Sequence, residues 1–188
     1  MSSNANIFQL FVYPEIFSCH ILYLKGQIKV LEERYGKVLE MLRKEDKDIF
    51  IEMLEQEDTG GDTVYLQACR RGKDKILNTL IQQDEADSQA IDGSGRNGLM
   101  WACHEGHIPV VNLLLELTGE RAVNVNQRDN YNSTAFTFAC ELGRLDVVNR
   151  LLELKGRVDI LATDNDGDNA FMCACIGKSN QSLMKLYF

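Results

Sequence analysis

The chain has 188 residues, 45% hydrophobic and 26% charged, with 20 Lys and Arg against 28 Asp and Glu for a formal net charge of −8. That balance fits a globular domain or a short repeat array and excludes disordered and fibrous classes. It also argues against nucleic acid as the main partner, because binding a phosphate backbone draws on clustered Lys and Arg.

In chain order, Ile7 to Leu24 is apolar-rich but carries Pro14, Glu15, Ser18 and His20, with no basic residue before it. A secretory signal wants a positive leading region, and a membrane span wants ~20 apolar residues with few charges. Residues 1–27 are therefore expected to form an apolar arm or helix packed on the body. Residues 28–57 carry apolar pairs at helical spacing (Val30-Leu31, Val38-Leu39, Ile49-Phe50, Met53-Leu54) among many acidic side chains. This amphipathic stretch predicts a pair of N-terminal capping helices with a polar outer face.

From Asp58 onward the sequence repeats itself. Four segments align: one beginning at Asp58 with Thr63, Ala68, Cys69 and Gly72; one at Asp92 with Asn97, Ala102, Cys103 and Gly106; one at Asp129 with Thr134, Ala139, Cys140 and Gly143; and one at Asp164 with Asn169, Ala174, Cys175 and Gly177. The predicted units are 58–91, 92–128, 129–163 and 164–188, the last incomplete. Asp and Gly suit a tight turn, Thr or Asn a helix N-cap, and the later Gly a left-handed helix end. The pairs Ile76-Leu77 with Leu80-Ile81, Val110-Val111 with Leu114-Leu115, and Val147-Val148 with Leu151-Leu152 mark the buried stripe of a second helix. Each unit is thus a turn, a short helix, a reverse turn and a second helix, which buries its apolar face only when stacked. Cysteines one unit apart lie too far from one another for disulfides, since stacked helices sit ~10 Å apart. They are read as small buried residues, and the pattern suits a reducing, cytoplasmic compartment.

Asp, Gly, Thr or Asn, the Ala-Cys pair and the terminal Gly, followed by an apolar-paired helix, resemble the ankyrin repeat. The resemblance implies an all-α solenoid of about four helix-turn-helix repeats with an N-terminal helical capping segment. The family's turn Pro is replaced by Val64, Gly98, Ala135 and Ala170, and its His by Leu66, Met100, Thr137 and Met172. Those replacements are expected to remove turn preorganisation and a helix-to-turn hydrogen bond. The fourth segment ends on Leu183, Met184, Leu186, Tyr187 and Phe188 with no polar closing helix, so the expectation is that the native chain continues or that something covers this end.

Catalytic and metal motifs fare poorly. His104-Glu105-Gly106-His107 lacks the one-face spacing of H-E-x-x-H, and Asp164 to Asp168 lacks the Gly and Glu positions of a calcium loop. Both align as turns. No enzyme, cofactor, metal or small-molecule substrate is expected.

The resemblance implies a protein–protein interaction module, an adaptor or scaffold that binds through turn tips and the concave face of the first helices. The alternative is a targeting or effector arm of a longer protein, with wording similar to ankyrin proteins that intracellular bacteria or large viruses deliver into host cells. Carried over position by position, the exposed first-helix residues are Gln67, Trp101, Phe138 and Cys173. The expected partner-binding set is Trp101, Phe138, Tyr131, Arg96, Arg71, Gln67, Asp166 and Asp168. The partner is another protein rather than nucleic acid or membrane, and the acidic net charge favours a basic one through steering.

Overall fold

The computed structural model describes residues 63–84 and 86–176. The expected arm at 1–27, the capping helices at 28–57, the tip of the first turn and the close of the fourth unit lie outside the described residues. Within them run seven α-helices: α1 (Val64–Arg70), α2 (Asp74–Gln82), α3 (Gly98–Glu105), α4 (Ile108–Glu116), α5 (Ala135–Glu141), α6 (Leu145–Leu152) and α7 (Ala170–Ile176). A single 3-10 turn, Gly119–Arg121, follows α4. The helices α1, α3, α5 and α7 pack side by side in one layer, and α2, α4 and α6 form a second layer behind them. The described chain is an all-helical stack with no strand; only the isolated bridges Ile91–Asn97 and Thr163–Asn169 pin the bases of two turns.

Local chemistry sets each boundary. Thr63, Asn97, Thr134 and Asn169 accept backbone N–H bonds from the first turns of α1, α3, α5 and α7. Gly72, Gly106 and Gly143 close the first three of these helices at φ of +66°, +85° and +63°, a region that costs a side chain strain. The second helices bury three of the four residues in each paired set completely: Ile76, Leu77 and Leu80; Val110, Val111 and Leu114; Val147, Val148 and Leu151 are at most 1% exposed, while Ile81 and Leu152 are half-buried and Leu115 is 8% exposed. Each such side chain contributes roughly 1.5–3 kcal/mol.

The turns repeat with equal regularity. Asp92 Oδ1 accepts from the backbone N–H of Ser94 and Arg96, Asp129 Oδ1 from those of Tyr131 and Ser133, and Asp164 Oδ1 from those of Asp166 and Asp168, all at 2.8–3.0 Å. Neighbouring turns are linked in series, Asn130 N–H donating to Ser94 O at 2.9 Å and Asn165 N–H to Tyr131 O at 3.0 Å.

Two expectations change here. Thr137, standing where the family has His, donates from Oγ1 to Thr134 O at 2.8 Å and accepts from Thr134 N–H at 2.7 Å. The third unit therefore keeps a helix-to-turn hydrogen bond that the sequence reading removed, because a hydroxyl spans the same short gap. Cys69, Cys103 and Cys140 are free and buried as expected, but Cys175 is exposed. Phe171 and Met172 are also exposed, at 43% and 46%, whereas their counterparts Leu99, Met100, Phe136 and Thr137 are at most 3% exposed.

Candidate interaction surface

The first-helix face is built around Trp101. It sits one residue before Ala102 on α3, and its indole Nε1–H donates to Asp92 Oδ2 at 3.0 Å. One carboxylate thus holds the turn through Oδ1 and the ring through Oδ2. The guanidinium of Arg70, from the last turn of α1, lies 4.7 Å from the Trp101 ring centroid. Arg96, just before the N-cap of α3, lies 5.0 Å from the Trp101 centroid and 4.9 Å from that of Phe138. Cation, ring, cation and ring therefore alternate across three units, in contacts that strengthen where water is excluded.

His104 closes this cluster. It follows Trp101 by three residues on α3 and so shares its face. Its ring meets Trp101 and Phe138 edge-on, both at 5.7 Å between centroids. His104 Nδ1 lies 3.0 Å from Glu105 Oε1; the carboxylate accepts, so Nδ1 carries the proton. Its backbone O accepts from Arg144 Nε at 2.9 Å. His107 makes the corresponding link one unit earlier, Nε2 donating to Arg70 O at 3.0 Å. The two histidines thus serve a ring cluster and a turn. Among the described residues no three or more His, Cys, Asp or Glu side chains converge as metal ligands would, and no helix is long and apolar enough to cross a membrane.

Of the predicted site residues, the structure brings Trp101, Phe138 and Arg96 together. Phe138 and Gln67, expected on a wet face, are 8% and 5% exposed, and Trp101 is half-buried. For Phe138 the reason is that Arg96 lies over its ring and His104 meets it edge-on. Cys173, at the same register, is half-buried beside Asp164. The cation on Trp101 is Arg70, not Arg71, which is the C-cap of α1. Tyr131 is 64% exposed at its turn tip, and among the described residues no ring contact joins it to Trp101 or Phe138. Asp166 and Asp168 stand at the fourth turn, where their backbone N–H groups bind Asp164.

The sequence places Arg70 and His104 further along the first helices but outside the expected partner-binding set, and Asp92 and Asp129 are read only as turn residues. Register was the usable signal: Arg70 and His104 both lie two residues after the helix Ala, while Asp92 and Asp129 lead their turns.

The repeated turn, the two helix layers and the capped first helices define a helical repeat protein. The chain belongs to the ankyrin repeat family, whose description, ankyrin repeats in three copies, matches residues 34–129 and again 65–164, together more than half of the sequence. No curated protein matches the chain. Ankyrin repeats generally mediate protein–protein interaction, and domains built from them are typically non-catalytic.

Proposed function

We propose that this chain is an adaptor that binds one partner protein on its first-helix face, with Trp101 as the anchor. The alternating stack of Arg70, Trp101, Arg96 and Phe138 carries this reading. Interface hot spots are enriched in Trp, Tyr and Arg, held in well-packed, partly desolvated settings. Trp101 fits that description: half-buried, fixed by Asp92 and flanked by two guanidiniums. Tyr131, Asp166 and Asp168 flank the site at the turn tips, and Phe138 and Gln67 complete the proposed set. The chain acts by binding alone, with no cofactor, nucleic acid or membrane. The free cysteines support a reducing, cytoplasmic setting.

A pull-down from cell lysate, read by mass spectrometry, compares the wild type with Trp101→Ala after circular dichroism has shown both equally folded. Capture of the partner is expected to fall about 30-fold, the equivalent of ~2 kcal/mol at a hot spot. Equal capture by both proteins would place the interaction on another face.

A further inference from the structure

Arg96 is held in an unusual way for a surface arginine. Two rings lie against its guanidinium, Trp101 at 5.0 Å and Phe138 at 4.9 Å between Cζ and centroid. The Nε–H donates to Asp129 Oδ2 at 3.4 Å, and that aspartate side chain is fully buried. The Arg96 side chain itself is only 22% exposed. Trp101 is tied to Asp92, and His104 presses edge-on against both rings. The guanidinium is therefore held between its Nε contact with Asp129 and two aromatic neighbours.

What remains is the outer edge. The two terminal nitrogens carry four N–H donors, and among the described residues none of these finds an acceptor: the Arg96 side chain is held by the Nε bond and the two ring faces. A planar fork of parallel N–H groups matches a carboxylate in a bidentate pair. A phosphate dianion suits the same fork less well here, because Asp92, Asp129 and Glu105 already bring negative charge into the cluster and like charges nearby are costly.

We propose that Arg96 is a carboxylate receptor that takes a Glu or Asp side chain from an acidic, extended segment of the partner; this rests on the binding reading above. Trp101 and Phe138 act as positioning residues that hold the fork in plane. The selectivity is opposite in sign to that of the whole chain: the net charge of −8 steers basic surfaces, whereas the anchor selects an acidic side chain.

Trp101 is the single tryptophan of the chain, so its emission reports directly on this site. The full chain is titrated with an acetylated, amidated peptide of three Gly-Glu-Leu-Gly repeats, and with counterparts carrying Gln, Lys or phosphoserine in place of Glu. The Glu peptide is expected to produce a saturable emission change that weakens as sodium chloride is raised, with the Gln peptide at least ~10-fold weaker and the Lys peptide without effect. Arg96→Lys keeps the charge and removes the fork, and it is expected to weaken Glu-peptide binding ~10-fold. Equal binding of Glu and Gln peptides, tighter binding of the phosphoserine peptide, or wild-type affinity in Arg96→Lys would each overturn the proposal. Should Arg96→Lys fail to fold, the Glu against Gln comparison on the wild type decides alone. If Trp101→Ala loses the lysate partner while Arg96→Lys retains it, the carboxylate receptor falls and the binding face stands. If Trp101→Ala loses nothing, the binding face falls first.

Discussion

Gly98 opens α3 where a side chain would collide with its neighbours. A Cβ there would lie 2.8 Å from Cys69 Sγ and 2.9 Å from Tyr65 Cε1 and Oη. Tyr65 and Cys69 are themselves buried, so neither has room to retreat. Gly98→Ala gains helix propensity and loses more to overpacking, and the expected outcome is a net destabilisation of about 1–2 kcal/mol in urea unfolding. The buried thiols act through protonation instead. Burial pushes Cys69 and Cys103 far above the usual value of 9.0, and burial with the nearby Cys173 pushes Cys140 up to about 12. Above pH 9.0 the unfolded thiols ionise while the native ones stay protonated, so the unfolded state binds fewer protons and stability falls as pH rises. The melting temperature is expected to hold below about pH 9 and to drop steeply towards about pH 11, each buried thiol removing roughly 1.4 kcal/mol per pH unit. A flat profile across that window would show that these thiols are not protected. The cysteine spacing made three of these sites legible in sequence, whereas Cys175, at the same repeat position, is exposed among the described residues.

At the scale of the element, α5 has the most complete start. Thr134 and Thr137 form a reciprocal capping box, and both are buried. Thr134→Ala removes an acceptor and strands the Thr137 N–H, so a loss of about 1–2 kcal/mol is expected, against only a few tenths for Thr134→Gly. Equilibrium unfolding of the two variants side by side measures the difference. Caps, turn aspartates and terminal glycines were all readable beforehand, because each is a local hydrogen-bonding requirement met within five residues. The ring cluster was read only in part. Register placed Trp101 and Phe138 in line, but whether Phe138 faced water depended on Arg96 and His104, which reach it from another unit. Choosing Arg71 over Arg70 was a rotation of one residue, about 100° around a helix.

Across the whole molecule, the units are joined by side chains that reach a fixed carbonyl in the neighbour. His107 reaches Arg70 O, Arg144 reaches His104 O, and Asn126 donates to Arg157 O. Stability in such an array is a sum of unit and interface contributions. Because Phe171, Met172 and Cys175 are exposed where their counterparts are buried, amides of α7 are expected to exchange with deuterium at least ~10-fold faster than those of α3. Comparable protection in both would mean that the fourth unit is covered. The stacking order itself was evident from the repeat length, whereas these links were not, since no single unit contains both donor and acceptor.

Their regular placement bears on how the chain tolerates rearrangement. His107 and Arg144 each follow a helix-ending glycine, and each addresses the carbonyl two residues past the alanine of the preceding first helix. Excising residues 92–128 would therefore leave Arg144 opposite the Arg70 carbonyl, with the seam closed by the same kind of bond. Grafting a foreign unit between the first and third would meet the same docking rule. The scaffold is in this sense interchangeable segment by segment, while Arg96, Trp101 and Phe138, drawn from two adjoining segments, are inherited together or lost together.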